Sequence, residues 1–344
     1  MTRPRVDLVS DTATRPTPAM RRAIAEAEVG DDQKGEDPTV NRLQDRVAEL
    51  LGTEAALFLV SGTMCNNVAV AALTDRGDAV VVDRRAHLLR SEAGGAVVGS
   101  AVVLDQIDGE RGHFSPEQLA ATMHPGSLHV PPTRLVSLEQ THNFAGGTVW
   151  PVEQYRRVCE VAHAGGAAVH VDGARLPNAV VASGVPFSTW AEPVDSLWID
   201  FTKGLGAPIG AVLAGTTDLV ARARRYKHVF GAAMRQAGIA AAGCLHALDH
   251  HVDRLADDHA AAARLAEGLA ELGCRVDPVE TNIVFFDAPG VDAAGFLAGL
   301  AAQGVRMGAV DGRIRAVTHL DVDAAGIDAA LAAARSVVGG YSPR

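Results

Sequence analysis

Lys203 stands at the junction of two contrasting segments. The apolar segment SLWIDF before it is typical of a strand, and GLGAPIG after it is a loop of small residues. Burial at such a junction would lower the pKa of the lysine and free its amine to act as a nucleophile. A solvated surface lysine is the alternative interpretation, because most lysine side chains are exposed.

Two further polar sites follow apolar runs. Asp172 ends AAVHVD, where a carboxylate needs a cation or a hydrogen-bond donor; a helix N-cap or an ion pair with Arg175 is the alternative. Ser61, Gly62 and Thr63 follow LFLV and open a helical pattern. Their N–H groups and hydroxyls would suit a phosphate, or would simply cap the helix. Neither GxxxxGK[ST] nor GxGxxG occurs, so nucleotide binding is weakly supported.

The three sites together indicate one kind of cofactor. Pyridoxal phosphate (PLP) requires a phosphate anchor, an acidic partner for its pyridinium nitrogen and an amine that forms a Schiff base. Ser61 to Thr63, Asp172 and Lys203 supply these groups in that order along the chain. The combination therefore predicts PLP, although each site alone has an ordinary structural interpretation.

The elements that would position these residues have an α/β pattern. Over residues 41–240, short Val/Ile/Leu-rich runs alternate with helical segments, which is typical of a mostly parallel sheet covered on both faces. Ligands of such sheets bind at the carboxyl ends of the strands. Beyond residue 240 the pattern changes to a smaller helix-and-sheet unit. We therefore predict a large PLP-binding domain over residues 1–245 and a small C-terminal α/β domain over residues 246–344.

Composition narrows the function further. The net charge of −10 argues against a nucleic-acid partner, and we interpret the basic residues 222–228 as a solvated or interface face. No signal-peptide core and no apolar run of about 18 residues is present, so we expect a cytoplasmic protein without a membrane partner. The four cysteines are scattered, and we interpret the DHH and DDH clusters at residues 249–251 and 257–259 as a solvated face. We therefore expect no metal site.

Ordered motifs along nearly the whole chain carry a family resemblance. They are DLVSDTATRPTPAM, GEDPTVNRLQ, SGTMCNN, AHLLRSEAGG, LEQTHNFAGG, HVDGAR, TKGLGAPIG, AAMRQAG and RAVTHLD. In these motifs the chain resembles the low-specificity L-threonine aldolases, within the β-eliminating lyase group of fold type I PLP enzymes. The resemblance implies a mostly parallel seven-stranded sheet, with the first ~15 residues forming an arm that packs on the small domain.

The resemblance also implies residue roles. Lys203 would carry PLP, Asp172 would pair with the pyridinium nitrogen, His87 would stack on the ring, and Ser61, Gly62 and Thr63 would hold the phosphate. Ser10, Arg175 and Arg315 match residues that receive the substrate carboxylate, and His129 matches a histidine near the β-hydroxyl. Either His87 or His129 is a candidate for the base. His87 as an ordinary polar residue, Arg175 as a structural ion-pair partner and Arg315 as a strand-face cation are the alternatives.

The implied activity is retro-aldol cleavage of β-hydroxy-α-amino acids, such as L-threonine and L-allo-threonine, to glycine and an aldehyde. Two departures from the family pattern affect the substrate: Lys34 replaces an aromatic residue in GDDQKGEDPT, and LLRS introduces Arg90. They suggest an alternative, namely β-elimination, transaldol transfer or racemisation on a non-threonine, possibly acidic substrate. A binding protein that kept the fold without catalysis is a third hypothesis.

The resemblance finally implies an oligomer. Fold type I enzymes build each active site at a dimer interface, so we expect a homodimer or a homotetramer. Arg235 in AAMRQAG is the candidate for a phosphate contact from the neighbouring subunit.

Overall fold

The computed structural model describes residues 4–340 of the 344-residue chain. Residues 1–3 and 341–344, which belong to the two predicted domains, lie outside the described residues. The strands in the described part are β1 Val6–Asp7, β2 Ala55–Leu59, β3 Ala79–Asp83, β4 Val103–Ile107, β5 Thr133–Glu139, β6 Ala168–Asp172, β7 Ser196–Asp200, β8 Ala211–Gly215, β9 Arg275–Val276, β10 Ile283–Asp287, β11 Val305–Arg306, β12 Gly308–Val310 and β13 Arg313–Val317.

The helices in the same part of the chain are α1 Pro18–Ala25, α2 Pro38–Leu51, α3 Gly62–Leu73, α4 His87–Arg90, α5 Gly95–Ser100, α6 Pro116–Thr122, α7 Val152–Ala164, α8 Leu176–Ser183, α9 Phe187–Ala191, α10 Thr217–Val229, α11 Gly238–His250, α12 Leu255–Glu271, α13 Ala293–Ala301 and α14 Ala324–Gly340. Short 3-10 helices cover Asp11–Ala13, Asp32–Lys34 and Asn143–Ala145. None of the described helices is long and apolar enough to cross a membrane.

The main sheet has seven strands in the order β2-β8-β7-β6-β5-β3-β4. The pairings of β7 with β6, β6 with β5, β5 with β3 and β3 with β4 are parallel, and only β8 runs antiparallel to its neighbours. The α/β class and the mostly parallel seven-stranded sheet are therefore confirmed.

Helices cover both faces of this sheet because successive side chains of a strand point to opposite sides. In β2, Phe58 belongs to the core cluster that includes residues of α2 and α11, whereas Leu57 and Leu59 pack in a cluster with residues of α3 and α10. Burial on both faces is the physical reason that these strands read as continuous apolar runs rather than alternating ones.

A four-stranded antiparallel sheet, β12-β13-β10-β9, forms a second core with α12, α13 and α14. Val6 and Leu8 of the N-terminal segment belong to this core, and β1 pairs in parallel with β11. Helix α11 runs across residue 245 and packs on α1 and α2. The division into domains at residue 245 stays a prediction.

Candidate active site

A cavity of about 350 Å³ opens at the carboxyl ends of the parallel strands. Glu139, Asp172 and Asp200, the last residues of β5, β6 and β7, all line it. The cavity brings together nearly all the residues that the sequence singled out: Ser10, Ser61, Gly62, Thr63, His87, Asp172, Arg175, Lys203 and Arg315. One concave site thus combines residues at the ends of main-sheet strands with Arg315 from β13 of the four-stranded sheet.

Lys203, which follows β7, lines the cavity. Its Nζ donates to Asp200 Oδ2 at 2.5 Å and lies 5.8 Å from the centre of the Trp198 ring. The Lys203 side chain is only 20% exposed, so the interpretation as a solvated lysine is wrong for this chain. The partly enclosed amine fits the covalent attachment point that PLP needs.

The loop after Lys203 is held from two directions. Thr14 Oγ1 donates to the Lys203 carbonyl at 2.8 Å, and His251 Nδ1 donates to the Leu205 carbonyl at 2.7 Å. His251 and Asp258, which belong to the DHH and DDH clusters, are both buried. The prediction of a solvated face is therefore wrong at these two residues, because they pack beside the loop that follows Lys203.

Asp172 is buried and has hydrogen-bond donors, but it forms no salt bridge with a lysine or arginine among the residues that the structure describes. Oδ1 accepts from the Ala174 N–H at 3.0 Å, and Oδ2 accepts from Asn66 Nδ2 at 2.8 Å. Burial, together with the negative charges of Glu139 and Glu92, raises the pKa of Asp172 to about 7. A protonated pyridine nitrogen would supply the missing positive charge, so the donor set fits PLP.

Ser61, Gly62 and Thr63 line the cavity at the start of α3. Ser61 Oγ accepts from the Met64 N–H at 3.2 Å, which makes Ser61 the N-cap of α3. A Cβ on Gly62 would collide with the Trp198 ring, so only glycine lets α3 begin this close to that ring. The first N–H groups of α3 face the cavity end of the helix, where its dipole favours an anion such as phosphate.

Arg175 and Arg315 both line the cavity, but their guanidinium groups have different hydrogen-bond partners. Arg175 donates to both oxygens of Asp11 and, through Nη1, to Asn143 Oδ1 at 3.0 Å. Arg315 Nη2 donates to the same Asn143 oxygen at 2.7 Å, while its buried Nε has no partner in the described chain. Burial, together with the positive charge of Arg175, lowers the pKa of Arg315 to about 10. Arg315 is therefore the guanidinium with donors free for an incoming carboxylate.

Two of the carboxylates near His87, Glu92 and Glu139, were not singled out by the sequence. Its Nδ1 lies 2.9 Å from Glu92 Oε1, and its backbone N–H donates to Glu139 Oε2 at 2.8 Å. Burial lowers the pKa of His87, but the hydrogen bond to Glu92 and the charges of Asp172 and Glu139 outweigh it, so the net shift is upward. Both glutamates lie in motifs that carry the family resemblance. Those motifs are the sequence signal from which the two residues could have been identified.

Two predicted site residues lie outside the cavity of the single chain. His129 is in an exposed loop, and the Arg235 side chain is 60% exposed and pairs with Asp31 at 3.0 Å. Lys34 is exposed and does not line the cavity either. Arg90 lines a neighbouring cavity of about 160 Å³.

Comparison with known proteins agrees with this arrangement. The β-eliminating lyase family model matches residues 7–289. The chain is 44% identical to a low specificity L-threonine aldolase of Escherichia coli, with 81% of this chain and 84% of that one covered. It is 42% identical to low-specificity L-threonine aldolase 1 of Arabidopsis thaliana, with 82% and 81% covered.

A solved structure of Leishmania major threonine aldolase superposes with a TM-score of 0.85 at 21% identity, covering 97% of this chain and 99% of that chain. At this level of identity the likeness shows the fold alone, which is that of fold type I PLP enzymes. The family model and the sequence relatives also assign the chain to a family. The chain belongs to the β-eliminating lyase family and is a PLP-dependent lyase.

Proposed function

We propose that the chain cleaves β-hydroxy-α-amino acids of the L-threonine and L-allo-threonine type to glycine and an aldehyde. The relatives that bear the name L-threonine aldolase support this activity. The observation that carries it is the convergence of three groups in one cavity: the partly buried amine of Lys203, the buried carboxylate of Asp172 and the guanidinium of Arg315. Within residues 4–340, Asp172 forms no salt bridge with a lysine or arginine, and Arg315 Nε has no hydrogen-bond partner.

Each residue has a defined task in this reaction. PLP, when bound, accepts the electron pair left at Cα as the Cα–Cβ bond breaks. Lys203 would anchor it covalently, Asp172 would keep its ring nitrogen protonated, and Ser61 to Thr63 would hold its phosphate. Arg315 and Ser10 would orient the substrate carboxylate, while Asp11 and Asn143 hold Arg175 beside it. A base in the cavity would take the β-hydroxyl proton.

A substrate panel tests the proposal. Protein with PLP is incubated with L-threonine, L-allo-threonine, β-phenylserine and an acidic β-hydroxy amino acid while glycine and aldehyde are measured. Keto acid and ammonia without glycine would instead show elimination. We expect Lys203→Ala to lose the visible absorbance of bound cofactor and at least ~10³-fold in kcat, while the exposed-lysine control Lys34→Ala keeps both. Wild-type protein without that absorbance would contradict the proposal.

We infer a second, acidic substrate class from the cavity that contains Arg90. Arg85, Arg90 and Ser91 line it, and Phe144 separates it from the catalytic cavity because it lines both. Asp311 adds one negative charge, so the lining keeps a net positive charge that would attract a carboxylate on the substrate side chain. Arg90→Leu should then raise KM for the acidic substrate and leave KM for L-threonine unchanged. Arg84→Leu, on a surface arginine paired with Asp108, is the control.

We further propose that the chain acts in the cytoplasm as a homodimer or homotetramer. The four free, buried cysteines are consistent with a reducing compartment. The exposed positions of His129 and Arg235, outside the cavity of their own chain, favour a site that a second copy completes. Light scattering on the purified protein tests the assembly; a fully active monomer would contradict it.

A further inference from the structure

The side-chain amide of Asn66 has only one possible orientation. Its Oδ1 lies 2.7 Å from Trp198 Nε1, an indole nitrogen that can only donate. Oδ1 therefore accepts, and Nδ2 must point the other way. There it donates to Glu92 Oε1 at 2.7 Å and to Asp172 Oδ2 at 2.8 Å, in a fully buried cluster.

This orientation determines the tautomer of His87. Glu92 Oε1 is an acceptor, and it lies 2.9 Å from His87 Nδ1, so Nδ1 carries the proton of that hydrogen bond. In the neutral ring, Nε2 then keeps its lone pair. Nε2 has no hydrogen-bond partner within residues 4–340, and the ring lines the catalytic cavity.

The His87 backbone is fixed as well. Its N–H donates to Glu139 Oε2 at 2.8 Å, and Glu139 Oε1 accepts from the Asn143 N–H at 2.8 Å. Hydrogen bonds therefore hold both the His87 backbone and the Nδ1 side of its ring. The free nitrogen can be presented to a substrate at low entropic cost.

We propose that Glu92 is a positioning residue that makes His87 Nε2 the base for the β-hydroxyl proton. This inference rests on the proposed aldolase function. The hydroxyl proton moves to Nε2, the O–H bonding pair becomes the second C–O bond of the aldehyde, and the Cα–Cβ pair stays with Cα. The proton held on Nε2 balances the one that Cα takes up to become glycine.

Three carboxylates face His87, from different elements: Glu92 after α4, Glu139 at the end of β5 and Asp172 at the end of β6. Their charges favour the imidazolium, so they strengthen Nε2 as a proton acceptor. The uncharged Asn66 bridges Glu92 and Asp172 by donating to both. Glu92 is the carboxylate in direct contact with the ring, and Asp172 would be neutralised by bound PLP.

Two substitutions separate the charge of Glu92 from its hydrogen bond. Glu92→Gln keeps an acceptor for Nδ1–H and removes the charge; Glu92→Leu removes both. The measurement is the pH dependence of kcat/KM for L-threonine with saturating PLP, together with the PLP affinity from visible absorbance. The exposed Glu110→Gln is the matched control.

For Glu92→Gln we expect the acid limb to move to lower pH by about one unit, with the plateau reduced about 10-fold, because the base is weaker. For Glu92→Leu we expect a loss of about 100-fold or more at unchanged KM. A limb that does not move in Glu92→Gln overturns the inference and assigns the base to another group, such as His129. If Glu92→Leu does not fold, Glu92→Gln decides alone. Wild-type protein that releases no glycine would instead refute the aldolase proposal.

Discussion

Asp11 and Arg175 form a buried two-point ion pair. The Oδ1–Nη2 distance is 2.7 Å and the Oδ2–Nε distance is 2.8 Å, although 164 residues separate the two in the chain. The pair ties the segment after β1 to the start of α8, so that the N-terminal segment forms one wall of the cavity.

Removing the charge of Asp11 should destabilise the protein strongly. Asp11→Asn leaves the Arg175 guanidinium buried without a counter-charge, which costs about 3 to 5 kcal/mol. Urea unfolding of the cofactor-free protein measures the free energy of unfolding. In Asp321→Asn, which breaks an exposed pair with Arg15, we expect a loss below about 1 kcal/mol. Equal losses in the two variants would show that the buried pair has no special role.

Arg315 should control substrate affinity. Arg315→Lys keeps the positive charge but loses the planar fork that binds a carboxylate with two hydrogen bonds. We expect KM for L-threonine to rise about 10- to 100-fold, with a smaller change in kcat. Arg313→Lys on the same strand is the control, because Arg313 pairs with Asp277 and Asp287. An unchanged KM in Arg315→Lys would show that Arg315 is a strand-face cation that does not bind the substrate carboxylate.

The Asp172 pKa predicts a pH-dependent stability of the cofactor-free protein. Burial raises this pKa to about 7 in the folded state, against about 3.9 in the unfolded chain. Between these values the folded protein holds a proton that the unfolded chain has lost. The free energy of unfolding therefore falls as pH rises, by up to about 1.4 kcal/mol per pH unit, and levels off above pH 7.

Asp172→Asn removes this titration. Over the range from about pH 5 to 8, the free energy of unfolding of the wild type should fall more steeply than that of the variant. Chemical unfolding at several pH values measures both slopes. Parallel slopes would show that Asp172 does not take up a proton in the folded state.

Lys227 should stabilise the loop that carries Asp32. Its side chain is 3% exposed, and Nζ donates to Asp32 Oδ2 at 2.7 Å, so the prediction of a solvated or interface face for residues 222–228 is wrong at this lysine. Lys227→Met should cost about 3 to 5 kcal/mol because the buried Asp32 loses its partner. Thermal and urea unfolding measure the loss. The exposed Lys34→Met should change stability by less than about 0.5 kcal/mol.

Arg235 should act on the site of a neighbouring subunit. Arg235→Ala is expected to weaken PLP binding, and Lys203→Ala to abolish activity. If Arg235 serves the neighbouring site, mixing the unfolded variants and refolding them together creates dimers with one intact site. The mixture should then recover about a quarter of the wild-type activity. No recovery beyond that of the separately refolded variants would place Arg235 in its own site or outside any site.

Much of the architecture could be predicted from local sequence pattern. Apolar runs predicted the strands of the main sheet. Polar residues at the ends of these runs predicted the residues of the cavity, because parallel strands end at one edge of a sheet. Glu92 was not singled out, although it stands in AHLLRSEAGG. Its role depends on Asn66, which is 26 residues away in the chain, and on the orientation of one amide.

The sequence by itself determined the α/β class, the family and the amine, carboxylate and helix N-terminus that PLP requires, because these are properties of short segments. Only the tertiary structure decided how the charges are paired. In the fold, Arg175 pairs with Asp11, Arg315 keeps an unpartnered donor within the described residues, and Glu92 accepts a hydrogen bond from His87. Such pairings join residues that are distant in the chain, and their strength comes from burial that no local pattern records.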